Sequence, residues 1–282
     1  MIFNLVRRNI RLYFRDKATV FFSMLGVFVI IGLYILFLGT MVEDSGSFAG
    51  ASSRFFTDSW IMAGVIATST ITTTLGSLGQ MVDDLTKKIN RDFETSPIIR
   101  WKIVLSYAIS SIVIGIMMSM ITFILAEIYI VVYGGSIVSF GALLKIFGLI
   151  ILSTITASSF LFFFVSMVKT MNAFSVISTI VGTLIGFLMG IYVPIGVLPT
   201  AIQAFIKVFP PSHAASLLRQ VMINEVVQIE YVPRDIAELL GVRFFFGDFE
   251  FTPLISILIL VATTLIFFGL SVIVATKHKR EA

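Results

Sequence analysis

The residues able to do chemistry are few and scattered along the chain. Adjacent Asp83 and Asp84 look at first like the start of a metal site. Successive helix positions diverge by about 100°, however, and Lys87 and Lys88 stand one turn on. A salt-bridged helix face is the expectation. His213 follows Pro210-Pro211, and His278 sits in a basic tail. Neither has a nucleophile and an acid beside it, and a cap or headgroup contact is expected of each. There are 0 cysteines, which excludes a disulfide framework, a thiolate metal site and a thiol nucleophile. No G-x-x-x-x-G-K-[ST] run occurs, so the chain has no phosphate loop of its own.

One acid, Glu127, lies inside an apolar run. A charge alone in hydrocarbon costs roughly 2.5–3.5 kcal/mol on insertion scales, so it needs a reason to be there. Lys145 lies beyond the Gly134-Gly135 turn, and a structural Glu127–Lys145 ion pair across that hairpin is the favoured reading. A proton or substrate site is the other. Two rows of small residues complete the set. Thr70, Thr73, Thr74 and Ser77 make a polar stripe at helical spacing, with Thr68 and Thr72 beside it. Such hydroxyls serve helix packing or a cavity wall. Gly182, Gly186 and Gly190 repeat every fourth residue and form a close-packing face.

The elements that must position these residues are membrane spans. The chain is 57% hydrophobic and only 13% charged, against roughly 25% charged in a soluble domain, and its mean hydropathy is +1.03. Apolar runs read as spans near Val20–Leu38, Trp60–Leu78, Ile103–Tyr129, Leu143–Val168, Phe174–Val193 and Pro253–Ala275. The first run is too long for a signal-peptide core and no small-residue cleavage site follows it, so it is expected to be retained. Arg7, Arg8, Arg11, Arg15 and Lys17 precede it. Lys87, Lys88, Arg91, Arg100 and Lys102 follow the second run, Lys169 follows the fourth, and Lys277, Lys279 and Arg280 end the chain. The alternate loops carry fewer basic residues for their length. That asymmetry predicts a multi-pass protein of the cell membrane with both termini cytoplasmic. It also accounts for the net charge of +4 without nucleic acid. Trp60 and Trp101 fall where headgroup-level anchors belong.

Segments between the spans have patterns of their own. Residues 1–19 form an amphipathic helix with Arg7, Arg8, Arg11 and Arg15 on one face, suited to anionic lipid or a partner. Residues 80–96 hold a short helix on which Met81, Leu85, Ile89 and Phe93 make an apolar row, with Asp83, Lys87 and Arg91, and Asp84 and Lys88, in acid-then-base spacing. That row fits either a groove on a soluble partner or the chain's own bundle. Residues 194–252 are broken by Pro194, Pro199 and the Pro210-Pro211 pair. The pieces between are too apolar for a solvated loop and too short to span.

Taken in this order, the segments resemble the ABC-2 family of transporter permeases over nearly the whole chain. The resemblance is carried by Leu12-Tyr-Phe-Arg-Asp-Lys17, by Phe93-Glu-Thr-Ser-Pro-Ile-Ile-Arg-Trp-Lys-Ile-Val104, and by Pro194-Ile-Gly-Val-Leu-Pro199 with Phe209-Pro-Pro-Ser-His213. Where members usually show a Gly-rich turn, this chain reads Asn90-Arg-Asp-Phe-Glu94. The resemblance implies a single all-α membrane domain, residues 1–282, of six transmembrane helices. Residues 1–19 would be its connecting helix, 80–96 the cytoplasmic coupling helix and 194–252 the external re-entrant segment. It further implies an exporter of two permeases, alike or different, and two ATPase subunits, with ATP and magnesium held by the ATPase and no cofactor on this chain. On that reading Met81, Asp83, Asp84, Leu85, Lys87, Ile89, Arg91 and Phe93 couple to the ATPase. Thr70, Thr73, Thr74 and Ser77 line a cavity, and Gly182, Gly186 and Gly190 pack the permease dimer. The expected cargo is a hydrophobic or amphipathic compound. A secondary transporter or channel would need a chain of intramembrane ionisable residues, and a membrane enzyme would need clustered His or acids at one depth; neither pattern is visible.

Overall fold

The computed structural model describes residues 2–34, 36, 53–89 and 99–277. The chain opens with α1 (Ile2–Arg15) and α2 (Lys17–Leu33), whose axes meet at 74°. Asp16 makes the elbow. Its carboxylate accepts hydrogen bonds from Ala18 N at 3.1 Å, Thr19 N at 3.2 Å and Thr19 Oγ1 at 2.6 Å, so it ends one helix and caps the next. The spanning helix therefore starts before Val20, and the amphipathic one stops short of residue 19.

Longer helices follow: α3 (Ser53–Thr86), α4 (Arg100–Val132), α5 (Phe140–Val165) and α6 (Met171–Leu188), and later α10 (Pro253–Lys277). Among the described residues these 5 are long and apolar enough to cross a membrane, and the bent α1–α2 pair makes up to 6 if counted as one crossing. The fold is thus an all-α, multi-pass membrane bundle. Between α6 and α10 lie a 3-10 turn (Ile195–Val197), α7 (Thr200–Val208), α8 (Pro210–Asn224), a second 3-10 turn (Ile229–Tyr231) and α9 (Arg234–Leu239). A short antiparallel hairpin, β1 (Phe245–Phe246) and β2 (Phe249–Glu250), completes this region. The prolines set these breaks as expected: Pro199 precedes α7 and Pro210 occupies the first turn of α8.

The axis of the bundle is α3, which packs on α2, α4, α5, α6 and α8. Small hydroxyl residues allow this close approach. Thr70, Thr73, Thr74 and Ser77 are all buried, and each donates to a carbonyl of its own helix at 2.5–2.7 Å, so none carries an unmet polar demand into the core. Gly115 of α4 lets Thr74 and Thr154 close on it. Ser111 and Ser158 bond at 2.7 Å between α4 and α5.

Residues 80–86 continue α3 without interruption, because nothing in Gln80–Thr86 breaks a helix. The expected separate helix does not begin there. The chain instead turns at Lys87–Lys88, where Lys88 has φ 61. Arg91 and Phe93 lie outside the described residues.

The Glu127–Lys145 ion pair does not form. Glu127 Oε2 accepts the Val138 amide at 3.3 Å. Lys145 is exposed, a quarter-turn away from the buried Ala142–Ile146–Leu149 face of α5. The next carboxylate, Glu225, takes Ser139 N at 2.8 Å and Ser139 Oγ at 3.0 Å, so the hairpin is held by its own backbone and hydroxyl donors.

His213 is a buried crosspiece between helices. Its Nε2–H donates to Lys207 O at 3.0 Å, because a carbonyl can only accept, and Nδ1 then accepts from Ser256 Oγ at 3.1 Å. Burial pushes its pKa down from the ordinary value. A histidine held neutral in the fold stabilises fully above its unfolded pKa of about 6.5 and loses that stability as pH falls below it. The expected result is that the gap in thermal midpoint between wild type and His213→Gln narrows from pH 7.5 to pH 5.5. A gap that stays constant over that range would rule out a neutral, buried imidazole.

Candidate functional site

Between α2, α3 and α6 lies a cleft of about 590 Å³, reached also by the last turn of α1. From α3 it is lined by Thr68, Thr72, Leu75, Gly76, Gly79, Gln80 and Asp83; from α2 by Phe22, Ser23, Gly26 and Ile30; from α6 by Phe174, Ser178, Gly182 and Ile185. Glycines bring α3 against α6 at one end and against the turn after α6 at the other. A Cβ at Gly79 would stand 2.9 Å from the Phe174 ring, and one at Gly64 would stand 2.9 Å from Ile191. The space opens between those two contacts. Thr68 Oγ1 and Ser178 Oγ are buried along it without a protein hydrogen-bond partner.

The hydroxyl stripe expected to line a cavity does not border this cleft. Thr70, Thr73, Thr74 and Ser77 face α4 and α5 rather than the cleft, and the neighbouring row through Thr68, Thr72 and Gly76 takes that place. On one helix the two rows are about 150° apart, nearly half a turn. Which of them faces space depends on where α4 and α6 sit.

The glycine row divides. At Gly182 a Cβ would meet nothing within 4 Å, so it is open to the cleft. At Gly186 a Cβ would overlap the Tyr192 ring of the same chain. Gly190, with φ 64, reverses the chain after α6: Ile191 N donates to Gly186 O at 2.9 Å and Gly190 N to Phe187 O at 3.0 Å, the Schellman pairing for which glycine is preferred. Gly186 and Gly190 therefore serve a turn within the chain, and that turn sets Tyr192 at the end of the cleft.

Two buried charges fix the ends of the cleft walls. At the α1 end, the Asp84 carboxylate is fully buried and gathers donors from three helices. Arg8 of α1 donates from Nη1 at 2.7 Å and Nη2 at 3.1 Å, Tyr107 of α4 from its hydroxyl at 2.5 Å, and Gln80 of α3 from Nε2 at 2.9 Å. Arg8 thus turns inward, away from the outward Arg7, Arg11 and Arg15. Asp83 points the other way, toward the cleft mouth, and pairs with Lys87 at 2.7 Å. Leu85 is 40% exposed beside them, while Met81 and Ile89 are half-buried.

At the opposite end the fully buried Arg219 of α8 donates from Nη2 to Met189 O at 2.5 Å and Gly190 O at 3.2 Å. Longer approaches reach Gly241 O at 3.4 Å and Trp60 O at 3.5 Å, and the guanidinium lies 5.1 Å from the Trp60 ring centre. Trp60 is itself buried and donates to Leu240 O at 2.7 Å. Its ring therefore faces protein, whereas Trp101 is 54% exposed. No carboxylate faces Arg219 among its hydrogen-bond partners. The C-terminal dipole of α6 and the indole face meet its charge instead. Sequence reading passed over Arg219, although an arginine set in Ala214-Ala-Ser-Leu-Leu-Arg-Gln-Val-Met222 is an unusual neighbour for apolar residues.

The model of the ABC-2 type transporter family matches residues 2–223, from α1 to the end of α8. The chain belongs to the ABC-2 type transporter family. No curated protein matches it. The ABC-2 chain is accordingly a transport permease rather than a catalyst, and family membership implies association with an ABC ATPase. Within this permease, the cleft between α2, α3 and α6 combines a lined cavity, two buried unpaired hydroxyls and two anchored ends.

Proposed function

We propose that this permease is the membrane subunit of an ATP-driven exporter that moves a hydrophobic or amphipathic compound through the α2–α3–α6 cleft. The observation that carries this reading is the lining of the cleft: aromatic and aliphatic walls (Phe22, Ile30, Phe174, Ile185) with the buried, unpaired hydroxyls of Thr68 and Ser178. Apolar side chains interleaved with hydroxyl and amide groups, and with Asp16, Asp83 and Lys87 toward the α1 end, suit an amphipathic small molecule. The α1 end faces the cytoplasm on this reading, consistent with the basic residues there. ATP and magnesium are bound by a separate ATPase, in two copies. It docks at the end of α3 near Leu85 and Ile89. A second permease, the same or different, covers the exposed side of α6, whose Val176, Ile180 and Leu184 are open in the single chain.

Co-purification with a candidate ABC ATPase, followed by a search for compounds that stimulate hydrolysis, tests the reading. Gly182→Trp sharpens it. A Cβ at Gly182 meets nothing within 4 Å and the position lines the cleft of about 590 Å³, so the variant should fold and bind the ATPase normally. Compound-stimulated hydrolysis should nevertheless fall about tenfold or more. Full stimulation in Gly182→Trp would remove the cleft from the transport route.

A further inference from the structure

Going round α1 at about 100° per residue, three faces follow one another. Leu5, Val6, Asn9 and Tyr13 are buried against the bundle, with Asn9 Nδ2 donating to Ser110 Oγ at 3.1 Å. Next come Ile10 and Phe14, half-buried, and Phe3, 73% exposed. Beyond them Arg7, Arg11 and Arg15 form an exposed ridge, one turn apart. Arg8 is not part of it, being committed to Asp84.

We infer that this ridge is a binding surface for anionic phospholipid headgroups in the leaflet that α1 lies along. The order of faces carries the argument. A helix lying in the plane of a bilayer boundary, with protein on one side, presents an apolar strip to the acyl chains and a basic strip to the headgroups next to it. The 74° elbow at Asp16 turns α1 toward the bilayer plane when α2 crosses it. A ridge meant only for a soluble acidic partner would not need the exposed Phe3 on its flank. Basic residues at an anionic surface contribute roughly a fivefold preference each. The cytoplasmic location of the ridge rests on the orientation proposed above, but the lipid preference itself does not, because the test places the lipid in both leaflets and uses no ATPase.

The experiment places a fluorescent reporter on the apolar strip: Phe3→Trp in a Trp101→Phe background, with Trp60 shielded by burial. The purified permease is reconstituted in phosphatidylcholine vesicles containing increasing fractions of brominated phosphatidylglycerol or brominated phosphatidylcholine. Brominated phosphatidylglycerol should quench the new tryptophan at about a tenfold lower mole fraction than brominated phosphatidylcholine. Adding Arg11→Gln should shrink that ratio several-fold, and Arg7→Gln with Arg11→Gln and Arg15→Gln should bring the curves together. Equal quenching by both lipids in the unmutated ridge overturns the inference. So does absence of quenching by either lipid, which would put the ridge against water and assign it to a soluble acidic partner.

Discussion

Arg219→Leu is expected to cost about 3–5 kcal/mol of stability, measured as thermal unfolding of the purified permease. Two effects oppose each other. Burying a guanidinium is unfavourable, and burial pulls its pKa down to about 9, which still leaves it charged at neutral pH. Removing it relieves that penalty. Against this, it donates to Met189 O at 2.5 Å and Gly190 O at 3.2 Å, carbonyls at the end of α6 that its removal would deprive of a donor. A bond from a charged donor contributes roughly 1.5–3 kcal/mol, and an orphaned buried acceptor costs about 1–3 kcal/mol. Leucine also leaves the Trp60 face without its cation, worth up to about 2 kcal/mol when desolvated. The losses exceed the relief. Arg219→Lys keeps the charge but not the planar fork, so it should recover roughly half. The same turn places Tyr192 at the end of the cleft, and the leucine variant should therefore also lose compound-stimulated ATP hydrolysis. A midpoint within about a degree of wild type for Arg219→Leu would show that the helix end does not depend on this residue.

Much of the framework is legible in the chain because it follows from local rules. Apolar runs of about twenty residues give the long helices, Pro194, Pro199 and Pro210 give the breaks after α6, and Ser139 ahead of α5 is a readable cap that accepts from Ala142 N at 3.2 Å. The elbow is legible too: Asp16 followed three residues on by Thr19 is a helix-start signal, though the apolar run alone suggests a later beginning. What escapes local reasoning is the direction in which a helix face looks. The row Thr70, Thr73, Thr74 and Ser77 and the row Thr68, Thr72 and Gly76 are both made of small or hydroxyl residues, and only the positions of α4 and α6 decide which borders space. Gly186 belongs to the same four-residue repeat as Gly182, yet Tyr192, folded back by the turn at Gly190, fills its groove. Charge pairing fails for the same reason. Glu127 and Lys145 are near in sequence, but Lys145 lies off the packed face of α5, whereas Asp84 finds its arginine 76 residues away.

That distant pair supports the second large effect. Arg8 and Asp84 do not stand equally to water: the Arg8 side chain is 30% exposed and that of Asp84 is 0% exposed. Removing Asp84 as Asp84→Leu frees Arg8 to turn toward solvent, leaving the Tyr107 hydroxyl and Gln80 amide to find other partners, for a loss of about 2–3 kcal/mol. Removing Arg8 as Arg8→Leu strands a carboxylate that has no route to water and keeps only the two neutral donors at 2.5 and 2.9 Å. Breaking a buried pair in this way typically costs about 3–5 kcal/mol, so the arginine variant should be the less stable of the two. The double variant should be well short of the sum, by about 2 kcal/mol, because neither charge is then stranded. Thermal or denaturant unfolding of the four proteins reads this directly. The network also ties α1 to the ends of α3 and α4, next to the turn where the ATPase is proposed to dock. Arg8→Leu should therefore reduce compound-stimulated hydrolysis more than basal hydrolysis in the assembled complex. Additive losses, within about 0.5 kcal/mol, would mean that Arg8 and Asp84 act independently and that α1 is held to the bundle by its apolar face alone.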